Sequence, residues 1–514
     1  MRPAGSKDFW RRNETASVAI QFALVIIPLM MMIGLAIDGS RLFLVKYRFQ
    51  ASLDAAALAV GTTFGSDEYL ESVAKLYVKK NFRVPGTTTQ SVKITNSSER
   101  VILKGVVTVN TFFGSFLGQD QVDIQAFTDV RRAGGGIMVA LVLDNTGSMW
   151  SSAGSKSRIE GLRAASLSLT QSLFSGENAE DEVRVAVVPY TAMVNPGAAA
   201  PGIVDTSLTE DFRVQDPQGR TGLKSSALPV LKYDPADKTQ WKGCVYERAG
   251  NASMDDTPPG GKGNWKPLIW PIYNDNQYAL LGKGKDKGQI DPATVDPGGN
   301  RNSNSFTGPN VGCPTPILPL TNKEVEITSA LNDMTAWNRG GTLSDIGMAW
   351  GLRVLSPSPP FTESGTIMDK KTGQPIWDSP RWRRAIVLMT DGDNVVFNAG
   401  NDGSRVRAGT ERSDITGYGR LGEATMNDLF SSNNAGTVKT RVDRRLTELC
   451  DAAKKQDITV YTVVFSNSTN AATQAIYQGC ASDKGKYWYA PSADALDSAF
   501  GSIGSDLNKL RITR

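Results

Sequence analysis

The chain has 514 residues, 21% charged and 40% hydrophobic, with 50 glycines and 25 prolines, a globular composition with room for two to four domains. A formal net charge of +4 gives no reason to expect nucleic acid, and no basic stripe with interleaved aromatics is present. The chain has no histidine, which excludes Ser-His-Asp triads, Cys-His dyads and imidazole-ligated zinc, so any metal must be held by oxygen or thiolate.

The first strong feature is "ASVAIQFALVIIPLMMMIGLAI", Ala16 to Ile37, apolar except for Ser17 and Gln21. As a helix it is roughly 33 Å long, enough to cross a bilayer core. Arg2, Lys7, Arg11 and Arg12 precede it, against Asp8 and Glu14. The positive-inside rule then leaves residues 1–15 in the cytoplasm and places the rest across the membrane. A cleaved signal peptide would have a shorter apolar core and a small-residue cleavage site, which "IDGSRLF" does not supply. Beyond the span, "DGSRLFLVKYRFQASLDAAALAVG" reads as the same helix continuing to Gly61.

The block from Asn13 to Gly61, with "GLAIDGSRL" and "QASLDAAALA", resembles the N-terminal segment of TadG-like Flp (tight-adherence) pilus-assembly proteins. Small pseudopilins of that system carry Gly before the apolar stretch and Glu five residues after the cut. Ala16 and Gln21 stand at those positions here, which favours a permanent anchor over processing.

After the anchor, residues 38–130 are expected to form a membrane-proximal module. "DEYLESVAKLYVKKNF" (67–82) predicts a helix with Leu70, Val73 and Tyr77 on one face. The alternating pairs Val92/Ile94, Val101/Leu103, Val107/Val109 and Val122/Ile124 predict strands. "RRAGGG" (131–136) reads as a hinge. From there, apolar strands at Ile137–Leu143, Val183–Val188, Ala385–Met389, Ile458–Phe465 and Tyr487–Tyr489 alternate with helices. One helix turns Ile159, Leu162, Leu169 and Leu173 to a single face, and another Val442, Leu446, Leu449 and Ala453. That alternation predicts a mostly parallel sheet covered on both faces. Two polar insertions, about 196–322 and 395–439, interrupt it; the first contains Trp241, Trp265, Trp270, Cys244 and Cys313.

The candidate site lies where strands end. Strand Ile137–Leu143 runs into Asp144, and Thr146 and Ser148 follow at alternate positions. A second carboxylate, Asp391, follows Ala385–Met389, and Thr342 in "RGGTLSDIGMAWG" comes between them. Open parallel sheets bind ligands at the carboxyl ends of their strands. Two carboxylates and three hydroxyls suit a hard divalent cation. This set resembles the metal-ion-dependent adhesion site of von Willebrand factor A domains, Asp-x-Ser-x-Ser followed by Thr and then Asp.

The resemblance implies a Rossmann-like, doubly wound α/β A domain over 131–514. It makes Asp144, Thr146, Ser148, Thr342 and Asp391 the ligands, directly or through water, of Mg²⁺, Ca²⁺ or Mn²⁺. Thr146 replaces the first serine and keeps its hydroxyl. "CPTPILPLT" and "GMAWGLRVLSP" are also similar to the TadG-like branch. The competing reading is that Asp144 and Thr342 only cap helices. Asp393 and Asn394 read as a solvated turn, "GKGKDKG" (282–288) as a solvated loop, and "NAGNDGS" (398–404) lacks EF-hand spacing.

Four cysteines at long spacing fit two disulfides in an oxidising compartment. Cys450 and Cys480 flank one strand and Cys244 and Cys313 bracket the first insertion, so these are the expected pairs. Together these features predict a single-pass inner-membrane protein with its bulk in the periplasm. Its expected work is non-catalytic: metal-dependent binding of other pilus-assembly proteins, or of a protein ligand bearing an acidic group. A surface adhesin binding an external ligand is the alternative, and a metal-dependent hydrolase the more distant rival.

Overall fold

The computed structural model describes residues 14–61, 67–96, 100–131, 135–175, 179–204, 212–213, 230–248, 250–260, 264–272, 276, 278–295, 307–397, 413–422, 428–468 and 470–512. The segment 398–404 singled out above lies outside these residues, as does part of the expected hinge. The described chain is a mixed α/β structure of two compact units that divide between Gly134 and Gly135.

In the first unit, α1 (Glu14–Gly61) is one continuous helix that takes in Pro28. Its described stretch Leu24–Gly61 is long and apolar enough to cross a membrane. The two halves of α1 have different surroundings. Before Asp38 the large apolar side chains stand exposed, Phe22, Leu24, Val25 and Met30 among them. After it Val45, Phe49, Leu53 and Val60 are buried. They pack with α2 (Asp67–Asn81) on an antiparallel meander of β1 (Thr87–Asn96), β2 (Arg100–Asn110) and β3 (Gln121–Arg131). The expected alternation supplies the sheet's inner side, with Val92, Val101, Leu103, Val107, Val109 and Ile124 all buried. Gly105 on β2 leaves room for Phe49, because a Cβ there would sit 2.7 Å from its Cζ.

The buried stripe of α2 differs from the expected one. Leu70, Ala74 and Val78 are buried, and Tyr77 is 41% exposed. The i, i+4 row wins over the i, i+3 row because Ala74 lets the helix approach closely, and a buried Tyr77 would need a partner for its hydroxyl.

The second unit is built on a six-stranded sheet. Its strands are β4 (Ile137–Asp144), β5 (Val183–Tyr190), β6 (Leu318–Thr321), β7 (Arg383–Thr390), β8 (Ile458–Phe465) and β9 (Tyr487–Ala490). Their order across the sheet is β6-β5-β4-β7-β8-β9. All neighbours are parallel except β6, which runs antiparallel to β5. β4 and β5 are buried at every position because both faces of the sheet are covered. On one face lie α3 (Arg158–Phe174), α4 (Glu324–Asp333) and α8 (Ala493–Ile512), which bury Leu162, Leu169, Ile327 and Phe500 against Val139 and Leu141. On the other lie α5 (Ser344–Leu355), α6 (Ala435–Lys455) and α7 (Ala471–Cys480), which bury Met348, Val442, Leu446 and Tyr477.

Two details depart from the sequence reading. Residues Leu318–Thr321, placed there inside the first insertion, form the antiparallel edge strand β6. Pro316 just before this strand and Pro319 within it hid it, and an edge is where a strand tolerates proline. The second insertion ends sooner than expected, since α6 begins at Ala435 with the Asn434 side chain accepting from the Thr437 amide.

The described residues between β5 and β6 pack largely on the sheet's second face. Trp241, Trp265 and Trp270 are fully buried in it. Cys244 is bonded to Cys313 there, with Cα atoms 5.9 Å apart, and Cys450 of α6 to Cys480 at the end of α7, 5.1 Å apart. Ion pairs with almost no exposure hold the same face together. Glu247 accepts from the Arg353 guanidinium and from the Trp350 indole, and Asp345 pairs with Arg445 at 3.0 Å and accepts from Tyr418 Oη at 2.7 Å. Replacing Cys244 and Cys313 together with serine should lower unfolding stability by about 3–5 kcal/mol, since the bridge limits a long loop in the unfolded chain. Guanidinium denaturation of the oxidised wild type and the double variant measures the difference, and equal midpoints would contradict it.

Candidate functional site

Chain order across the sheet places the site. From β4 the chain builds β5 and β6 on one side, then crosses to β7, β8 and β9 on the other. The crevice at such a reversal lies at the carboxyl ends of the two strands flanking it, here β4 and β7. Leu143 pairs with Met389 in that ladder. Asp144 and Asp391 are therefore brought to one edge, from positions far apart in the chain.

Their oxygens are joined by the two hydroxyls. Asp144 Oδ1 lies 2.6 Å from Thr146 Oγ1 and accepts from the Thr146 amide at 2.8 Å. Thr146 Oγ1 is 3.0 Å from Ser148 Oγ, which donates to Asp391 Oδ1 at 2.7 Å. Gly147 allows this tight turn, since a Cβ there would meet Asn338 Oδ1 at 2.6 Å. The backbone is fixed from both sides, with Asn145 N donating to Tyr190 O at 2.8 Å and Trp337 N to Asn145 O at 2.7 Å. Asp144, Asn145 and Thr146 are buried, and so is Asp391.

The protons of this row can be counted. Three contacts link four side chains, and each hydroxyl carries one proton. With both carboxylates ionised, two protons would serve three contacts. Thr146 Oγ1 donates to Asp144 Oδ1 and Ser148 Oγ to Asp391 Oδ1, so the contact between the two hydroxyls is left without a proton. The electrostatics agree. Burial, and then the charge on Asp391, push the Asp144 carboxyl up to about 7. Burial also raises Asp391, opposed by donation from Ser148 and by the charge of Arg158. Both carboxyls are thus raised by burial at one dry sheet edge.

A cluster rich in oxygen and short of protons suits a hard cation. The buried Asn145 amide beside it also has no hydrogen-bond partner among the described residues. The residues present therefore fit a divalent cation, although no group of three or more carboxylates, cysteines or histidines occurs among the described residues.

The fifth candidate stands apart. Thr342 pairs with Val395 in a two-residue ladder whose other pair is Gly341 with Val396. Among the described residues its hydroxyl makes no hydrogen bond to Asp144, Thr146, Ser148 or Asp391. Its loop is nevertheless tightly held. Asp414 accepts from Arg339 Nε at 2.9 Å and from the Gly340 amide at 2.9 Å. Gly341, at φ +108°, lies so close to Val395 that a Cβ would fall 2.0 Å from its carbonyl oxygen.

Sequence reading missed two participants. Thr390 Oγ1 donates to Asp144 Oδ2 at 2.9 Å, and Arg158 pairs with Asp391 Oδ2 at 3.0 Å. Thr390 directly precedes Asp391 at the end of a buried strand, a signal that could have found it. Arg158 opens α3 and carries no local signal. Asp393 and Asn394, read as a solvated turn, instead fix helix starts. Asp393 accepts from Asn470 and Thr473 at the start of α7, and the buried Asn394 accepts from the Ser344 amide at the start of α5.

Comparison with known proteins bears first on the N-terminus. Residues 17–63 match the family model described as putative Flp pilus-assembly TadE/G-like, so the apolar helix and its continuation are TadE/G-like. No curated protein matches the chain. Among solved structures, the vWF domain of the type V pili tip protein Mfa5 from Porphyromonas gingivalis is 10% identical, with a TM-score of 0.35 over 74% of this chain and 97% of that one. PilB minor pilin from Streptococcus sanguinis is 12% identical, with a TM-score of 0.33 over 83% and 79%. The pilus adhesin SpaC from Lactobacillus rhamnosus GG is 13% identical, with a TM-score of 0.31, and this chain, 84% of it aligned, spans 36% of that protein's length. Likeness this distant transfers no ligand, partner or activity.

A raised carboxyl gives a signed pH dependence. Protonated Asp144 is favoured in the folded state, so its contribution is full below the unfolded value of 3.8 and is lost as pH rises through about 7. Across that window each pH unit is worth up to about 1.4 kcal/mol. In chelator, the melting temperature should fall between pH 5 and pH 8, and Asp144→Asn should flatten the fall. Parallel pH profiles for the two proteins would show that Asp144 is not the source of the pH dependence.

Proposed function

We propose that this protein is a membrane-anchored, non-catalytic component of Flp (tight-adherence) pilus assembly or anchoring. Its second unit is a von Willebrand factor A domain, with long insertions after β5 and after β7, that binds a protein ligand through a divalent cation. The row Asp144–Thr146–Ser148–Asp391 at the crossover between β4 and β7 carries this reading. The TadE/G-like N-terminal segment supports the pilus context. The apolar helix supports the anchor, and the two disulfides support an oxidising compartment for the second unit. Basic residues before the helix favour a cytoplasmic N-terminus and a periplasmic bulk.

In this reading Asp144, Thr146, Ser148 and Asp391 hold the cation, with Thr342 contributing from its loop. A bound Mg²⁺, Mn²⁺ or Ca²⁺ supplies a positive centre that accepts an acidic group from the partner. The chain's own residues prepare for that group. Two ionised carboxylates balance a divalent charge, and Arg158, paired with Asp391, adds one positive charge. The surplus favours an anionic partner and repels a cationic one. The chain has no histidine, and both site carboxylates are engaged in the oxygen row, which supports binding over hydrolysis.

Thermal unfolding of the full-length protein in detergent tests the reading. Mg²⁺, Mn²⁺ or Ca²⁺ at about a hundred times its dissociation constant should stabilise by about 2.7 kcal/mol relative to chelator. Thr146→Ser should keep the response, Thr146→Val should weaken it, and Asp144→Ala should abolish it. Envelope proteins captured by the wild type should be released by chelator. If wild type and Asp144→Ala respond alike, the helix-capping account of these residues takes its place.

A further inference from the structure

We propose that the turn between β2 and β3 is a second membrane contact: Phe112, Phe113, Phe116 and Leu117 seat in the lipid interface where the apolar half of α1 ends. The inference rests on reading α1 as a membrane anchor, and extends it from the helix to the unit that follows.

The turn reads "TFFGSFLGQD", Thr111 to Asp120, and its central six residues carry no charge. Phe112 is 60% exposed, Phe116 76% and Leu117 57%. Four large apolar side chains on one short turn are costly in water, and such a patch marks a surface that something covers. The unit's core does not claim them, since Val107, Val109 and Ile124 beside the turn are already buried.

Position identifies the occupant. Asp38 is the first charged residue after the apolar run, and its carboxylate clamps the turn. Oδ1 accepts from Phe112 N at 2.9 Å, and Oδ2 from Phe113 N at 2.8 Å and Gly114 N at 2.9 Å. Three backbone amides thus partner this one carboxylate. One turn further along α1, Arg41 donates to Asn110 O and to Pro85 O, and its guanidinium lies 4.3 Å from the centre of the Phe112 ring. On the other side of Asp38, the Phe113 ring lies flush on Gly34, where a Cβ would come within 2.5 Å of its Cγ. Gly34 is about 4.5 Å along the helix inside the end of the apolar run. The turn is therefore pinned across the level at which hydrocarbon gives way to headgroups, with Asp38 and Arg41 on the polar side. Aromatic side chains concentrate at that level in membrane proteins. Continuity with the exposed apolar half of α1 favours lipid over a protein neighbour.

A single spanning helix is free to tilt and rotate. A second contact held rigidly to α1 by Asp38, Arg41 and Gly34 fixes the height and rotation of the first unit on the bilayer.

The test uses full-length protein in phosphatidylethanolamine–phosphatidylglycerol vesicles. All four native cysteines are in disulfides, so Phe116→Cys offers one free thiol for the environment-sensitive dye NBD, and Lys93→Cys on exposed β1 serves as the control. The expected result is blue-shifted emission at position 116 and loss of intensity in vesicles with shallow brominated acyl chains, with neither at position 93. Alkaline carbonate extraction reports on the anchor independently. Water-like emission at 116 in carbonate-resistant protein overturns the proposal and leaves the anchor standing. A blue shift without bromine quenching means that protein covers the turn, and overturns it too. Protein extracted by carbonate sinks the anchor, and this inference with it.

Discussion

Two carboxylates at one buried sheet edge are the constraint around which the second unit is arranged. Asp144 and Asp391 end the adjacent parallel strands β4 and β7, so the register that pairs Leu143 with Met389 also forces their charges together. The chain answers this with local devices. Thr146 and Ser148 each donate to one of the carboxylates, Thr390 donates from the strand end, and Arg158 neutralises the outer oxygen. Each offsets part of the cost of burying like charges, and none removes it. Natural folds keep such unrelieved sites where a ligand completes them, and the proposed cation is that ligand.

The surrounding structure holds this edge in place. Helix α5 follows the Thr342 loop and comes unusually close to the sheet, because Gly347 and Gly351 lack the Cβ atoms that would strike Tyr190 and Val142 at 2.6 Å. Tyr190 in turn donates to Met389 O at 3.0 Å, beside Asp391 on the same strand end. The long segments after β5 and β7 meet on this face. Asp414 binds Arg339 and Gly340 just before Thr342, while Glu247 and Asp345 secure α5 to its surroundings through Arg353 and Arg445. Burial pushes the Asp345 carboxyl up to about 6 despite Arg445. Buried ion pairs contribute little net stability and resist alternative packings, which suits segments whose role is to hold a loop in one position.

In the first unit the same economy of devices appears at Asp38. One carboxylate takes three amides and fixes the turn between β2 and β3 against the helix. The long helix changes surroundings along its length: its large apolar side chains are exposed before Asp38, and after it one face, Val45, Phe49, Leu53 and Val60, is buried. Composition marks this change, because Asp38, Arg41, Lys46 and Arg48 follow directly on an uncharged run.

Much of the architecture was legible because it depends on local periodicity. The unbroken apolar runs at Ile137–Leu143, Val183–Val188, Ala385–Met389 and Ile458–Phe465 are strands, and the faces of α3 and α6 are those their spacing indicates. Asp144, Thr146, Ser148 and Asp391 were singled out because they follow two of these strands, and the fold brings those four together while Thr342 stands apart. What the sequence could not decide depends on contacts between distant segments. Arg158 meets Asp391 only once α3 packs beside β7, and Asp393 and Asn394 find helix starts instead of water only once α5 and α7 are in place. The edge strand Leu318–Thr321 is too short and proline-rich to signal itself, and exists because β5 offers it a ladder. On α2, whether Ala74 or Val73 turns inward was settled by close packing within the first unit. Periodicity is a property of the chain, whereas partner, protonation and burial are properties of the fold, and only the tertiary structure decided those.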